Sequence, residues 1–457
     1  MGTSCPGTIK VDRLAGGRNI SHCALQFSVC PLEIKEVLKR HTPRIRELSF
    51  TEISSATFSL LLGDTKPSSL RLRSLCLQSP AQEKKPCFSM GNLMNSEILQ
   101  NLDVERVDVD WFRLPLTSLV SLKIHDPPNR PSWTDFVTAL QAMPALEILD
   151  LEDSLPVASE VRRRPFNPVG LTRLRKLSLY SWTGINEVLN VLSFIVVRQT
   201  TMLNLGGVHV YRQIPINPVP PNLAPSLSAF LSEMRSEHYE KLFYQTLRVF
   251  CTPAMLDLMA WGEGCENGVF PDDPVNLTLT IYFHHTSSDA GAKGLQGIIP
   301  VLPVVKLVTL VLNIDVTVEQ NFLVATFGNL PQLRNVSITG TGTNNFLLAL
   351  LHKPDNYNTC ASAYYSTSFP ALRSIAFSGV IFTPDTASHL EDCLMERWER
   401  NAEIRKLIFS DCSSLYTYDV QRLREIVVNV DWDGLEHEYQ SDDDDDNDDN
   451  DDDGDDD

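Results

Sequence analysis

Residues Leu146-Glu-Ile-Leu149-Asp-Leu151 read apolar, two variable, apolar, one variable, apolar. The same phrase stands as Ile45-Arg-Glu-Leu48-Ser-Phe50, as Leu119-Val-Ser-Leu122-Lys-Ile124 and as Leu174-Arg-Lys-Leu177-Ser-Leu179. Further copies lie at 72–77, 104–109, 307–312, 333–338, 372–377 and 404–409, with weaker ones at 24–29, 203–205, 255–260, 277–281 and 423–428. Between central positions the spacing is 27 from Leu48 to Leu75, 15 from Val107 to Leu122, 27 to Leu149 and 28 to Leu177. Later it is 26 from Leu310 to Val336, then 39 to Ile375 and 32 to Leu407. A recurrence near 27 with irregular insertions marks a repeat of one strand and one helix.

Helical patterns fall between the copies, at 33–40, 133–143, 185–197, 319–327, 344–350 and 386–400. In the last, Leu390, Leu394 and Trp398 share one face at four-residue spacing. A single strand–helix unit cannot bury its own apolar face, so units stack. The expected fold is α/β: a right-handed leucine-rich-repeat solenoid with one curved parallel sheet of short strands and helices on the convex side. A doubly wound domain would use fewer, longer strands.

Three segments are expected, the second holding an irregular stretch that is either an insertion on one face or two degenerate repeats. Residues 1–23 are polar and Gly-rich, and 24–435 form the solenoid. Between about 206 and 253 the phrase disappears, and Pro215, Pro218, Pro220, Pro221 and Pro225 predict an extended loop before a helix from Ser226 to about Leu247. Residues 436–457 form a poly-Asp tail that is expected to be disordered.

That tail explains the charge. The 457 residues carry 39 Lys+Arg against 58 Asp+Glu, a net −19, but thirteen of the acids lie between Asp442 and Asp457. Without them 45 acids face 39 bases, a balance of −6, so the body is mildly acidic. Nucleic-acid binding, which needs a basic footprint, is not expected. The most apolar window, 298–314, is short and holds Pro300, Pro303 and Lys306, so no membrane span is expected. Ten cysteines stand singly with no CxxC pair, and the N-terminus has no apolar signal core. Reduced thiols and a cytoplasmic or nuclear location follow as expectations.

Catalytic motifs are sparse. Gly340-Thr-Gly342-Thr-Asn-Asn345 has the setting of a dinucleotide-binding turn but lacks its third glycine, and reads as a strand-to-helix loop. His284 and His285 are adjacent, so a strand would point them to opposite faces. Asp108-Val-Asp110 reads as a strand and its exit, and Cys76 and Cys412 as packing or loop residues. No catalytic, cofactor or metal site is expected, and the chain reads as a non-enzyme. The alternative is an enzyme with a cryptic site near the 206–253 insertion.

A repeat offers a surface instead. Arg46, Arg73, Arg175, Arg334, Arg373 and Arg405 all occupy the first variable position, and Arg106, Lys123, Lys176 and Lys406 the later ones. They form an expected basic row along one edge of the concave face, interrupted by Glu47, Glu105, Asp108, Glu147 and Asp150. A protein partner with an acidic surface would suit that row.

The Leu-Arg-x-Leu-x-Leu series, with Pro43-Arg-Ile-Arg-Glu-Leu48 opening it and Met143-Pro-Ala-Leu-Glu-Ile-Leu149 inside it, resembles fungal F-box proteins with leucine-rich repeats. The resemblance spans roughly 24–430 and implies a substrate receptor for a cullin-based ubiquitin ligase, whose adaptor an F-box would dock. Pro31-Leu-Glu-Ile-Lys-Glu-Val37 faintly echoes the opening of an F-box but reads as a repeat helix, so no F-box is recognised and adaptor binding is not expected.

Overall fold

The computed structural model describes residues 8–11, 23–26, 35–36, 40, 45–62, 72–80, 98–114, 117–157, 167–210, 223–234, 243–262, 275–284, 289–352 and 367–436. The chain divides into two compact units, Met1–Val304 and Val305–Asp457. Residues 437–457 of the poly-Asp tail and the proline-rich stretch 211–222 lie outside the described residues.

The first unit opens with strands β1 (Thr8–Val11), β2 (Cys23–Gln26) and β3 (Glu47–Thr51), then helix α1 (Ser55–Leu62). Next come β4 (Ser74–Gln78), β5 (Asn101–Glu105), β6 (Ser121–His125), α2 (Trp133–Gln141), β7 (Ile148–Glu152) and β8 (Val169–Leu171). They are followed by β9 (Lys176–Ser181), α3 (Ile185–Leu192), β10 (Ile195–Val197), β11 (Met202–Val210) and α4 (Leu223–Met234). The unit closes with β12 (Thr246–Cys251), β13 (Met255–Trp261), β14 (Leu277–His284) and α5 (Ala290–Ile298).

Its large sheet is mostly parallel. Strands β3, β4, β5, β6, β7, β9, β11 and β14 pair in that order, all parallel. One register runs through them: Leu48, Leu75, Leu102, Leu122, Leu149, Leu177, Leu203 and Leu277 lie side by side. Two residues on, Phe50, Leu77, Val104, Ile124, Leu151, Leu179, Leu205 and Leu279 make a second row. Both rows are buried. The period of two then turns the intervening side chains to the opposite face.

The helices owe their positions to apolar faces and caps. Helix α2 starts where the Ser132 hydroxyl accepts from the Asp135 amide at 3.2 Å, and it buries Trp133, Phe136, Val137 and Leu140. Helix α3 packs on β9 and β11, and α4 on α3 and α5. The 223–234 segment is therefore part of the helix layer.

A left-handed turn recurs just after the strands. Glu52, Arg106, Asp126 and Asp153 each follow a strand with φ near +50°. Their amides still join the ladder: Arg106 donates to the His125 carbonyl at 2.8 Å, Asp126 to Glu152 at 2.9 Å and Asp153 to Tyr180 at 3.0 Å. The chain thus leaves the sheet at a fixed point in successive repeats.

The second unit comprises β15 (Thr309–Ile314), α6 (Gln320–Phe327), β16 (Asn335–Thr339), α7 (Thr343–Leu351), β17 (Ser374–Ser378), α8 (Pro384–Glu399), β18 (Lys406–Ser410), α9 (Thr417–Ile426) and β19 (Asn429–Trp432). Its five strands are parallel and in order, with Leu310, Val336, Ile375, Leu407 and Val430 in one row. Its helices also pack in order, α6 on α7, α7 on α8 and α8 on α9. The left-handed position recurs at Gly340, Gly379 and Asp411. At Gly340 (φ +88°) a Cβ would come within 2.8 Å of the Ile314 carbonyl oxygen, so glycine is needed for the turn and for the close approach.

The structure corrects several expectations. The strand near Val107 is displaced: β5 is centred on Leu102, so the spacings are 27 from Leu75 and 20 to Leu122. Residues 255–260 do form a strand, but β13 runs antiparallel to both β12 and β14. The helix beginning near 226 starts at Leu223 and ends at Met234, while Leu247 lies in β12, whose alternating apolar residues suit a strand. Residues 195–197, assigned above to a helix, form β10. Residues 423–426 end α9, Val427 and Val428 link it onward, and the strand follows as β19. In the polar N-terminal segment Thr8–Val11 forms a strand, antiparallel to β2 and β3.

Candidate functional site

The most built surface of the first unit is the face of the sheet opposite the leucine rows. There the residue after each central leucine, and the one two further on, come together across strands.

Charges on this face neutralise one another. Lys123 Nζ lies 3.6 Å from Asp103 Oδ2, and Lys176 Nζ lies 3.4 Å from Asp150 Oδ2. Glu105 accepts from Gln78 Nε2 at 2.6 Å and pairs with Arg106 at 2.8 Å. His125 Nε2 stands 3.4 Å from Asp150 Oδ1, an ion-pair distance without good hydrogen-bond geometry. Contact with Asp150 raises the His125 pKa above its usual 6.5 against the opposing effect of burial. For Asp150 burial acts upward, but His125, Ser178 and Lys176 outweigh it and its pKa is lowered.

The linkage has a definite sign. A raised histidine stabilises the fold fully below about pH 6.5, and that contribution is lost as pH rises through its folded pKa. The lowered Asp150 contributes above the ordinary carboxylate range and fails on acidification. The wild-type melting temperature is expected to fall between about pH 6 and 8 in part through His125. His125→Gln should flatten that part of the profile, and an unchanged profile would exclude this pair as its source.

The face does not resemble an activated nucleophile. Burial pushes the Cys76 thiol up, so it is held as a thiol, and His125 sits two strands away. Asp110 caps a short turn at Trp111–Arg113, its Oδ1 accepting from the Phe112 amide at 3.2 Å. Cys412 is buried, with its Sγ 3.6 Å from the Phe377 and Ser410 carbonyl oxygens. His284 ends β14, and His285 lies outside the described residues. Among the described residues no three His, Cys, Asp or Glu side chains gather as a metal site.

The six arginines stand at strand entrances, one residue before each strand begins, so they line an edge rather than the face. Arg46 and Arg73 are neighbours there, the Arg73 amide donating to the Arg46 carbonyl at 2.6 Å. Arg175 is separate and pairs with Glu147 at 3.4 Å. In the second unit Arg334, Arg373 and Arg405 are contiguous, the Arg373 amide donating to the Arg334 carbonyl and the Arg405 amide to the Arg373 carbonyl, both at 2.8 Å. Arg334 and Arg405 are exposed, while Arg373 donates to the Glu403 carbonyl at 3.2 Å. The expected basic row is therefore a pair, a single arginine and a triplet.

Sequence reasoning missed an aromatic cluster at the exit edge of the first unit. Tyr180 and Trp182 rings meet edge to face at 4.9 Å, and Trp182 and Tyr282 lie nearly parallel at 6.0 Å. Trp182 is 51% exposed and Tyr282 37%. Tyr180 covers Gly206, where a Cβ would fall 2.5 Å from its ring. Burial, with Tyr282, Glu152 and Asp153 nearby, raises the Tyr180 pKa to about 12.

Trp182 is held from below. Its amide donates to Asp153 Oδ1 at 2.7 Å and its indole Nε1 to Glu152 Oε1 at 3.1 Å. Asp153 in turn meets Arg130 at 3.3 Å, and Arg130 meets buried Glu187 at 2.8 Å. Ser181 and Thr183 also donate to Glu187, at 2.7 and 2.8 Å.

Among the described residues no helix is long and apolar enough to cross a membrane. No family model matches the chain, and no curated protein matches it.

Proposed function

We propose that the chain is a leucine-rich-repeat solenoid acting as a non-catalytic protein-recognition scaffold. It binds a protein partner through the polar sheet face of the first unit or through the arginine edge of the second. One observation carries the reading. A single register aligns eight parallel strands, which presents their outward side chains as one extended, self-paired surface. Such a surface suits a large partner better than a small substrate, which would be enclosed in a pocket.

The contiguous Arg334, Arg373 and Arg405 triplet favours an acidic patch on that partner. The resemblance to F-box proteins with leucine-rich repeats supports a receptor that selects a ubiquitin-ligase substrate. Only this substrate-selecting half is proposed, since no F-box is recognised in the sequence.

The test compares affinity capture from extract of the source organism by wild type, by Lys123→Glu/Lys176→Glu and by Arg334→Glu/Arg373→Glu/Arg405→Glu. At least one folded variant should lose a reproducibly captured protein by tenfold or more. If both variants retain every captured protein, neither surface is the binding site.

A further inference from the structure

We infer that the Trp182–Tyr282 surface in the first unit is a subsite for an arginine side chain of a peptide or protein partner. This rests on the protein-recognition reading and adds the chemistry of one contact. Strands β9 and β14 lie on either side of β11, where Gly206 presents no side chain on the outward face. Tyr180 fills the space over Gly206, and Trp182 and Tyr282 stand beyond it with much of their ring surface exposed. Fixing an exposed tryptophan through its backbone amide and its single indole N–H costs side-chain freedom in the unbound protein. A ligand stacking there would find the ring already placed.

The surrounding charge names the ligand. Glu152, Asp153, Asp126 and Glu187 cluster about this corner, and Arg130 is the cation that meets two of them. Arg130 engages Asp153 and Glu187, whereas the side-chain carboxylate of Glu152 accepts a hydrogen bond only from the indole among the described residues. A flat aromatic surface beside an available carboxylate suits a guanidinium, which can stack and donate in a plane at once. An ammonium group would gain the charge contact with less stacking.

Isothermal titration with blocked Gly-Arg-Gly-Arg-Gly, its citrulline counterpart and its lysine counterpart tests this. Citrulline keeps the shape of arginine without the charge. The arginine peptide is expected to bind at least tenfold more tightly than the citrulline peptide, with lysine between them. Trp182→Ala and Glu152→Gln should each weaken arginine binding fivefold or more without lowering the melting temperature. Equal affinity for arginine and citrulline, no arginine binding, or binding indifferent to both variants would overturn the inference. Capture lost in the sheet-face or arginine-edge variants, with no arginine binding, would sink this subsite alone. Arginine binding that depends on Trp182, with capture unchanged in those variants, would sink only the broader reading.

Discussion

Replacing Arg130 with methionine is expected to destabilise the first unit by about 3 kcal/mol, the lower part of the range for breaking a buried ion pair. The lower part applies because the Arg130 side chain is 21% exposed. Its guanidinium holds both Glu187 oxygens, at 2.8 and 3.0 Å, and Asp153 at 3.3 Å. Methionine keeps much of the volume but leaves buried Glu187 without its cation. Glu187 sits in the first turn of α3, where the helix dipole favours a negative charge but cannot replace the lost donors. Adding Glu187→Gln should recover part of the loss, because the uncompensated charge then disappears. Urea unfolding followed by tryptophan fluorescence would measure both variants. A loss below about 1 kcal/mol, the range of exposed pairs, would mean that this network behaves as a surface feature.

Strand order explains why the aromatic surface was not legible in the sequence. Trp182 and Tyr282 are far apart along the chain and become neighbours because β11 pairs with β14 directly. Helix α4, β12 and β13 intervene between them in sequence. No local pattern announces that jump. The hairpin inside it did leave a signal: β12 and β13 are joined through Pro253-Ala254, with the Thr252 amide donating to the Met255 carbonyl at 2.8 Å. A two-residue turn between two alternating runs marks an antiparallel pair. Alternation alone does not, because the side-chain period of a strand is the same in either direction.

Most repeat strands could be read because their buried rows need apolar residues at fixed places. The row from Leu119 to Leu122 to Ile124 and the row from Leu146 to Leu149 to Leu151 are buried throughout. The left-handed turn was also present, as Asp or Gly four residues after the central position at Asp126, Asp153, Gly340, Gly379 and Asp411. Arg106 obscures it after β5, since arginine is an uncommon residue at positive φ. The arginines hold the second position of the phrase, and the strands begin at its third. Those side chains consequently belong to the edge.

Residues 99–109 contain the sharpest test of the account, because two overlapping copies of the phrase compete there. Leu99-Gln-Asn-Leu102-Asp-Val104 and Val104-Glu-Arg-Val107-Asp-Val109 both satisfy it, and all of their apolar residues are buried. Only the first places Asp103 beside Cys76 on the outward face, in register across β4 and β5. The second would place Asp108 there instead. Parallel neighbours in register have Cα atoms about 5 Å apart, within the span a disulfide accepts. Asp103→Cys and Asp108→Cys can therefore be oxidised separately, with the linked peptides identified by mass spectrometry and the wild type as control. Cys76 is expected to become linked to position 103 and not to position 108. A link to position 108, with none to position 103, would contradict the register on which the shared outward face depends.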